Sequence, residues 1–229
     1  WEYRGEGVID SDALPPPVAV RQEDEPPLSV PDQDLEDKLE PTDVAGRFAQ
    51  AEIETGNHNF EAAFKLYNDV TNLNPDHSDA WAGKAFALQN LRRLDEALVC
   101  YERALDLDPG NAMAWNNRGG ILRIMGHKDE ALLCFIRATE TEGGFAGAWC
   151  NRGSLLDEMG RSEEGLFCFD RAIELEPNNA SAWSGKSLAL GHLKRFEESL
   201  PCYDRALSLA PGEGFLWCCL LYTSDAADE

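Results

Sequence analysis

Seven cysteines and four histidines are the side chains of this 229-residue chain that could hold a metal or run thiol chemistry. Their spacing points elsewhere. Cys100, Cys134, Cys168 and Cys202 recur every 34 residues, with no CxxC pair and no Cys/His cluster around them. Side chains repeated on successive helical layers lie about 8–10 Å apart, beyond the roughly 7 Å Cα separation that a disulfide spans. Each thiol is therefore expected as a small buried hydrophobe, which suits a reducing, cytoplasmic compartment. His58, His77, His127 and His192 stand singly, without the helical HxxxH spacing of a zinc site. The glycines of Arg118-Gly119-Gly120 and Arg152-Gly153 fall at periodic helix positions and not in a phosphate-cradling loop. No Ser or Cys has a base partner fixed by a motif, so no catalytic residue, cofactor or metal is expected. What remains is amide chemistry. Asn116, Asn117 and Asn151 lie in the runs WNNRG and WCNRG, and a carboxamide both donates and accepts, so it can pair with a peptide backbone whatever the side chains.

The elements that must position these amides follow from the same interval. Trp81, Trp115, Trp149, Trp183 and Trp217 are spaced by 34 residues. Units begin at Val44, Ser78, Ala112, Ala146 and Ala180, with a sixth opening at Gly214. Counting from each first residue, Trp holds position 4 from the second unit on. Position 8 is small (Ala85, Gly119, Gly153, Ser187) and position 11 is Leu (Leu88, Leu122, Leu156, Leu190). Positions 4, 8 and 11 make the i, i+4, i+7 stripe of a first helix. A second such stripe joins a small residue at 20, an aromatic ring at 24 (Tyr67, Tyr101, Phe135, Phe169, Tyr203) and Val or Ala at 27. Breakers such as Asp108-Pro109-Gly110-Asn111 and Glu176-Pro177-Asn178-Asn179 separate each unit from the next.

Trp at 4, small residues at 8 and 20, a ring at 24, Ala at 27 and Pro at 32 resemble the tetratricopeptide repeat over residues 44–213. The resemblance implies an all-α, right-handed α-solenoid of five helix-turn-helix repeats (44–77, 78–111, 112–145, 146–179, 180–213) plus the start of a sixth at 214–218. Its concave wall would be made by the first helices, and its function would be a scaffold binding other proteins or peptides. The sequence departs from the pattern in places. Gly143 replaces the Pro of position 32, which predicts a looser joint between the third and fourth units. Pro201 is expected in the first turn of its helix, where a missing N–H costs little. Arg47 and Glu54 replace Trp and Leu in the first unit, as on a solvent-facing N-terminal cap. Members that clamp a chaperone's terminal carboxylate carry Lys at position 5, which here reads Phe48, Ala82, Asn116, Cys150, Ser184. That clamp is missing.

The first-helix face opposite the packing stripe comprises positions 2, 6, 9 and 13. It mixes small, apolar and amide residues, and predicts a groove for extended peptide segments held chiefly by the central two units. Asn117 and Asn151 share position 6 and are expected as successive rungs, with Asn116 beside them and Phe86, Met113 and Ile124 supplying apolar selectivity. The rungs resemble the asparagine ladder in the repeats of the glycosyltransferase that modifies Ser/Thr with N-acetylglucosamine, although Gly83 and Gly185 interrupt them. The alternative function is therefore a substrate-recruiting arm of a larger enzyme, whose catalytic domain would lie outside this sequence.

Charge narrows the partners. A net −22 disfavours nucleic acid and anionic membrane surfaces alike, and no stretch is apolar enough to span a bilayer. Acids open the second helices (Asp95-Glu96, Asp129-Glu130, Glu163-Glu164, Glu197-Glu198) and Arg103, Arg137, Arg171 and Arg205 recur toward their ends, as the helix dipole favours. Lys84, Arg118, Arg152 and Lys186 at position 7 are expected to lay their stems over the apolar stripe with heads in water. Residues 1–43 hold seven of twelve prolines and an acidic excess, the composition of a disordered linker. Residues 219–229 (CLLYTSDAADE) back-translate to a string resembling the reverse complement of a transposase sequencing adapter. That tail is read as library read-through and kept out of functional reasoning.

Overall fold

Ten helices and no strand occupy the residues described by the computed structural model, 43–211. The expected linker before Asp43, the sixth unit from Gly214 and the adapter-like tail lie outside the described residues. The first helices have 13 residues each: α1 (Val44–Gly56), α3 (Ser78–Asn90), α5 (Ala112–Ile124), α7 (Ala146–Glu158) and α9 (Ala180–His192). The second helices have 14: α2 (Phe60–Leu73), α4 (Leu94–Leu107), α6 (Lys128–Thr141), α8 (Ser162–Leu175) and α10 (Phe196–Leu209).

Local chemistry sets these boundaries. Asp43, Asn111 and Asn179 cap first helices by accepting the backbone N–H three residues on, at 2.8–3.0 Å. Each first helix ends with position 15 in the left-handed region: His58, Arg92, Gly126, Gly160 and Lys194 have φ between 59° and 85°. The following N–H then bonds the carbonyl of position 11 at 2.8–3.0 Å, closing a Schellman turn. Second helices start without a side-chain cap. Instead Arg93, Arg161 and Arg195 fork onto Glu96, Glu164 and Glu198 at 2.6–2.8 Å, holding those carboxyls below their ordinary pKa.

Within a unit the small positions permit close backbone approach. A Cβ on Gly165 would sit 3.0 Å from the Gly153 carbonyl, and one on Gly153 would sit 3.1 Å from the Gly165 carbonyl. Into the remaining space go the position-24 rings, with Tyr101, Phe135 and Phe169 each 1% exposed. Between units, the half-buried tryptophans donate Nε1–H to the carbonyl six residues back: Trp81 to Pro75, Trp115 to Pro109, Trp149 to Gly143 and Trp183 to Pro177, at 2.9–3.0 Å. The bond needs a carbonyl and not a proline ring, so it also forms at the Gly143 joint.

Several expectations change. Arg47 and Glu54 are not a solvated cap: Glu54 is 6% exposed, and its carboxylate accepts from Gln50 at 3.0 Å and Asn59 at 2.8 Å. Arg47 pairs with the half-exposed Asp69 at 2.8 Å, so this unit sets polar pairs where the others place Trp and Leu. Pro201 is the sixth residue of α10, past the first turn, because Arg195 and not a later residue is the N-cap. The position-26 arginines stop short of the last helical turn, which carries no base. Arg103 and Arg205 instead reach back to Asp76 and Asn178 in the preceding inter-unit turns. Finally, the position-7 residues are half-buried, and their heads bond to neighbouring side chains of the array. Lys84 donates to Asn68 at 2.9 Å, Arg152 to Thr139 at 3.2 Å, and Lys186 pairs with Asp170 at 2.6 Å. Lys84, Arg152 and Lys186 also lie 4.8–5.9 Å from the position-4 indoles one turn earlier.

Candidate functional site

Successive first helices touch one another, α1 to α3 through α7 to α9, whereas no two successive second helices come within 8 Å between Cα atoms. The first helices therefore form the tighter, inner wall. On it Phe86, Met113 and Asn117 come together in a cavity of about 390 Å³ spanning α1, α3 and α5. Phe48, Tyr67 and Tyr101 complete its apolar lining, and the carboxylates of Glu52 and Asp79 stand at it without a Lys or Arg among the lining residues. Met113 is 64% exposed. Ile124 is equally exposed but lies at the end of α5, outside the cavity. The cavity thus spans the first three units and takes in Asn117, whereas Asn116 and Asn151 are not among its lining residues.

The amides are linked and not stacked as separate rungs. Asn151 Nδ2 donates to Asn116 Oδ1 at 2.8 Å, and Asn116 Nδ2 donates to Asn117 Oδ1 at 3.3 Å. Asn117 is in turn hydrogen-bonded to the Tyr101 hydroxyl, which donates to Gln89 Oε1 at 3.2 Å. Five side chains from three successive units so make one polar chain. Its logic lies in a pairing between position 6 and the position-24 ring of the preceding unit. Tyr101 offers Asn117 a hydroxyl; Phe135 offers Asn151 none, and Asn151 turns to Asn116. Where position 6 is Gly83 or Gly185, a Cβ would overlap the ring of Tyr67 or Phe169. Those glycines make room for rings.

Sequence reasoning treated the position-24 rings as core filler and missed their edge on the groove. The signal was the hydroxyl, since a buried Tyr needs a partner where a Phe does not. Burial pushes the Tyr101 phenol well above its ordinary pKa, an effect partly offset by Asn117, and burial likewise raises Tyr67. Both rings are therefore neutral at physiological pH and add no charge to the cavity.

A second polar cluster was also missed. Asp157, 8% exposed, accepts from Ser162 Oγ at 2.6 Å and lies 3.0 Å from His192 Nδ1 on α9. For acyl chemistry the imidazole must stand between hydroxyl and carboxylate. Here the carboxylate stands in the middle, and the cluster ties the fourth unit to the fifth. Among the described residues no three His, Cys, Asp or Glu side chains gather as a metal site. The five described cysteines are buried and unbridged, with burial raising Cys168 to about 11 and Cys150 to about 12. No described helix is long and apolar enough to cross a membrane.

Sequence profiles of the tetratricopeptide repeat match residues 78–111, 100–132, 146–179 and 180–213, more than half of the chain. An uncharacterized protein, MJ0572 of Methanocaldococcus jannaschii, is 42% identical over 50 residues; the match spans 21% of this chain and 58% of that protein. Among solved structures, Pseudomonas aeruginosa PilF superposes with a TM-score of 0.70 at 18% identity, covering 86% of this chain and 90% of PilF. YrrB, described as a repeat protein of this type with an unusual peptide-binding site, gives 0.64 at 21% identity, covering 80% and 94%. MamA gives 0.64 at 17%, covering 72% and 91%. At these identities the likeness is one of fold.

Proposed function

The chain belongs to the tetratricopeptide repeat family, and we propose that it is a non-catalytic scaffold that holds extended segments of partner proteins along the wall of its first helices. The observation that carries this reading is the cavity of about 390 Å³ on α1, α3 and α5. Its size lies in the range of sites that enclose a side chain or small ligand, with an apolar lining and a few polar groups to orient the guest. Glu52 and Asp79 select a segment in which a large apolar residue is followed or preceded by Lys or Arg, and the net charge of −22 draws such a segment in. The peptide-binding site described for YrrB gives precedent for a repeat array used this way.

The test is an immobilised set of short peptides pairing Phe or Leu with Lys, Arg, Asn or Glu. Peptides with Lys or Arg should bind best. Phe86→Ala with Met113→Ala should weaken them about tenfold while circular dichroism stays unchanged, and undiminished binding by the double variant sinks the reading.

The amide chain supports a second reading, a recruiting arm that grips peptide backbone for a larger enzyme. Asn117→Ala with Asn151→Ala would then lower binding equally for all peptides, where the cavity variant lowers it selectively.

A further inference from the structure

The cavity on α1, α3 and α5 is lined by rings that the repeat pattern does not supply. Phe48 stands at position 5 of the first unit and Phe86 at position 9 of the second, and neither position holds a ring in the third, fourth or fifth unit. With the position-24 rings Tyr67 and Tyr101 they bring four aromatic side chains to one space. Phe48 meets Tyr67 edge-on, with centroids 5.8 Å apart and planes inclined at 65°. Gly83 makes room for that ring, since a Cβ there would fall 2.4 Å from Tyr67 Cζ. Phe86 is braced edge-on by Phe60, with centroids 6.1 Å apart. Charge at the cavity is one-sided. Glu52 and Asp79 are exposed and enter no ion pair among the described residues. Glu52 lies close enough to the Tyr67 hydroxyl to add to the rise that burial gives its pKa. Every cation of the three helices is engaged elsewhere: Arg47 with Asp69, Lys84 with Asn68, Arg118 with Cys134 Sγ and Arg123 with Glu158. The cavity therefore offers a guest aromatic rings and negative charge together.

We propose, resting on the scaffold reading above, that the guest of this cavity is a methylated lysine carried in an extended segment of a partner protein. An unmodified ammonium is a compact, strongly hydrated charge with three N–H donors, and each donor taken out of water needs an acceptor. The phenol oxygens are already engaged, Tyr101 with Gln89 and Asn117 and Tyr67 with Thr55. That leaves the two exposed carboxylates to accept. A trimethylammonium has no donor to satisfy, carries its charge on an apolar surface, and is drawn to aromatic rings by their quadrupoles. It also unites in one side chain the large apolar group and the cation that the lining and its acids select. The cavity runs on to Met113, 64% exposed, and to the Asn117 amide, which can hold peptide backbone beside the lysine. A free quaternary ammonium would leave both unused.

The experiment uses the full chain and a fluorescent Ser/Ala/Leu peptide of about ten residues, roughly 33 Å when extended, with one central lysine. That residue is left unmodified, trimethylated at Nζ, replaced by the uncharged tert-butyl isostere of trimethyllysine, or replaced by Gln, and binding is read by anisotropy. The first two forms carry the same charge, so the diffuse attraction of the acidic chain acts on them alike. We expect the trimethylated form to bind about tenfold tighter than each of the others, or better. Phe48→Leu/Phe86→Leu keeps an apolar lining but removes two rings, and should cut the preference for trimethyllysine over its isostere below about threefold with an unchanged circular dichroism spectrum. Glu52→Gln/Asp79→Asn should weaken the two charged forms and leave the isostere as it was. The comparison of trimethyllysine with its isostere on the wild-type chain decides the point without any variant. Equal binding of the unmodified and trimethylated forms overturns this proposal and leaves the scaffold reading standing. Equal binding of the isostere overturns it too, since the lining would then act only as an apolar surface. Choline competing at the trimethylated peptide's own affinity overturns it in favour of a small ammonium ligand. Binding by none of the four forms removes the scaffold reading and this proposal together.

Discussion

At the scale of residues, much of this chain is decided by single atoms at repeated positions. A hydroxyl on Tyr101 draws the Asn117 amide, its absence on Phe135 sends Asn151 to Asn116, and a missing Cβ at Gly185 lets the Phe169 ring lie over the wall. The thiols are a clearer case of burial acting on chemistry. Folding holds the protons of Cys100, Cys134, Cys150, Cys168 and Cys202 more tightly than the unfolded chain does, chiefly by desolvation. The folded pKa is raised, so this contribution is whole below the unfolded value near 9 and is lost as pH climbs toward 11–12. We expect the urea midpoint to fall between pH 9 and 11, and the five thiols to resist a disulfide reagent at pH 8 until urea is added. A flat alkaline profile, or full labelling of the native chain, would contradict this. That Cys100, Cys134, Cys168 and Cys202 are core was legible from their interval of 34, whereas Cys150, which lies off that interval, and the amide chain were not. Its links run from position 6 to the ring of the unit before and to position 5 across units, and no face of one helix contains both.

At the scale of elements, the helices were legible because their stripes repeat, but their ends depend on backbone conformation that side-chain pattern does not display. Position 15 shows this. Glycine stands there in the third and fourth units, yet the same left-handed turn is made with His58, Arg92 and Lys194. A side chain at positive φ costs about 1 kcal/mol, so Lys194→Gly should raise stability by about 0.5–1 kcal/mol even though glycine frees the unfolded chain. Gly126→Ala, with open space around its Cβ, should lower stability by a similar amount through φ alone. Chemical denaturation of both variants checks the pair, and opposite signs are the diagnostic. The misplacement of Pro201 has the same origin: the charged Arg195 serves as N-cap, and its fork onto Glu198 is not among the usual capping residues.

At the scale of the whole molecule, each unit covers an apolar face of its neighbour, so stability grows along the array. Trp149→Ala, in the middle, removes a half-buried indole, its bond to the Gly143 carbonyl, its contact with Arg152 and the prop under Phe167. The loss should be about 3 kcal/mol, at the low end for a buried aromatic, and one cooperative transition should remain. Two separated transitions would mean that the units on either side fold alone. The stacking was legible from the tryptophan interval. The position of the cavity on the first three units was not, because it depends on which rings lean toward the wall. The contact of first helix with first helix, and the lack of it between second helices, has a mechanical consequence. Stretching or bending the array pivots it on the inner wall, as a leaf spring flexes about its clamped side. The cavity lies near that pivot, so bending should change its dimensions less than the spacing of the second helices along the back.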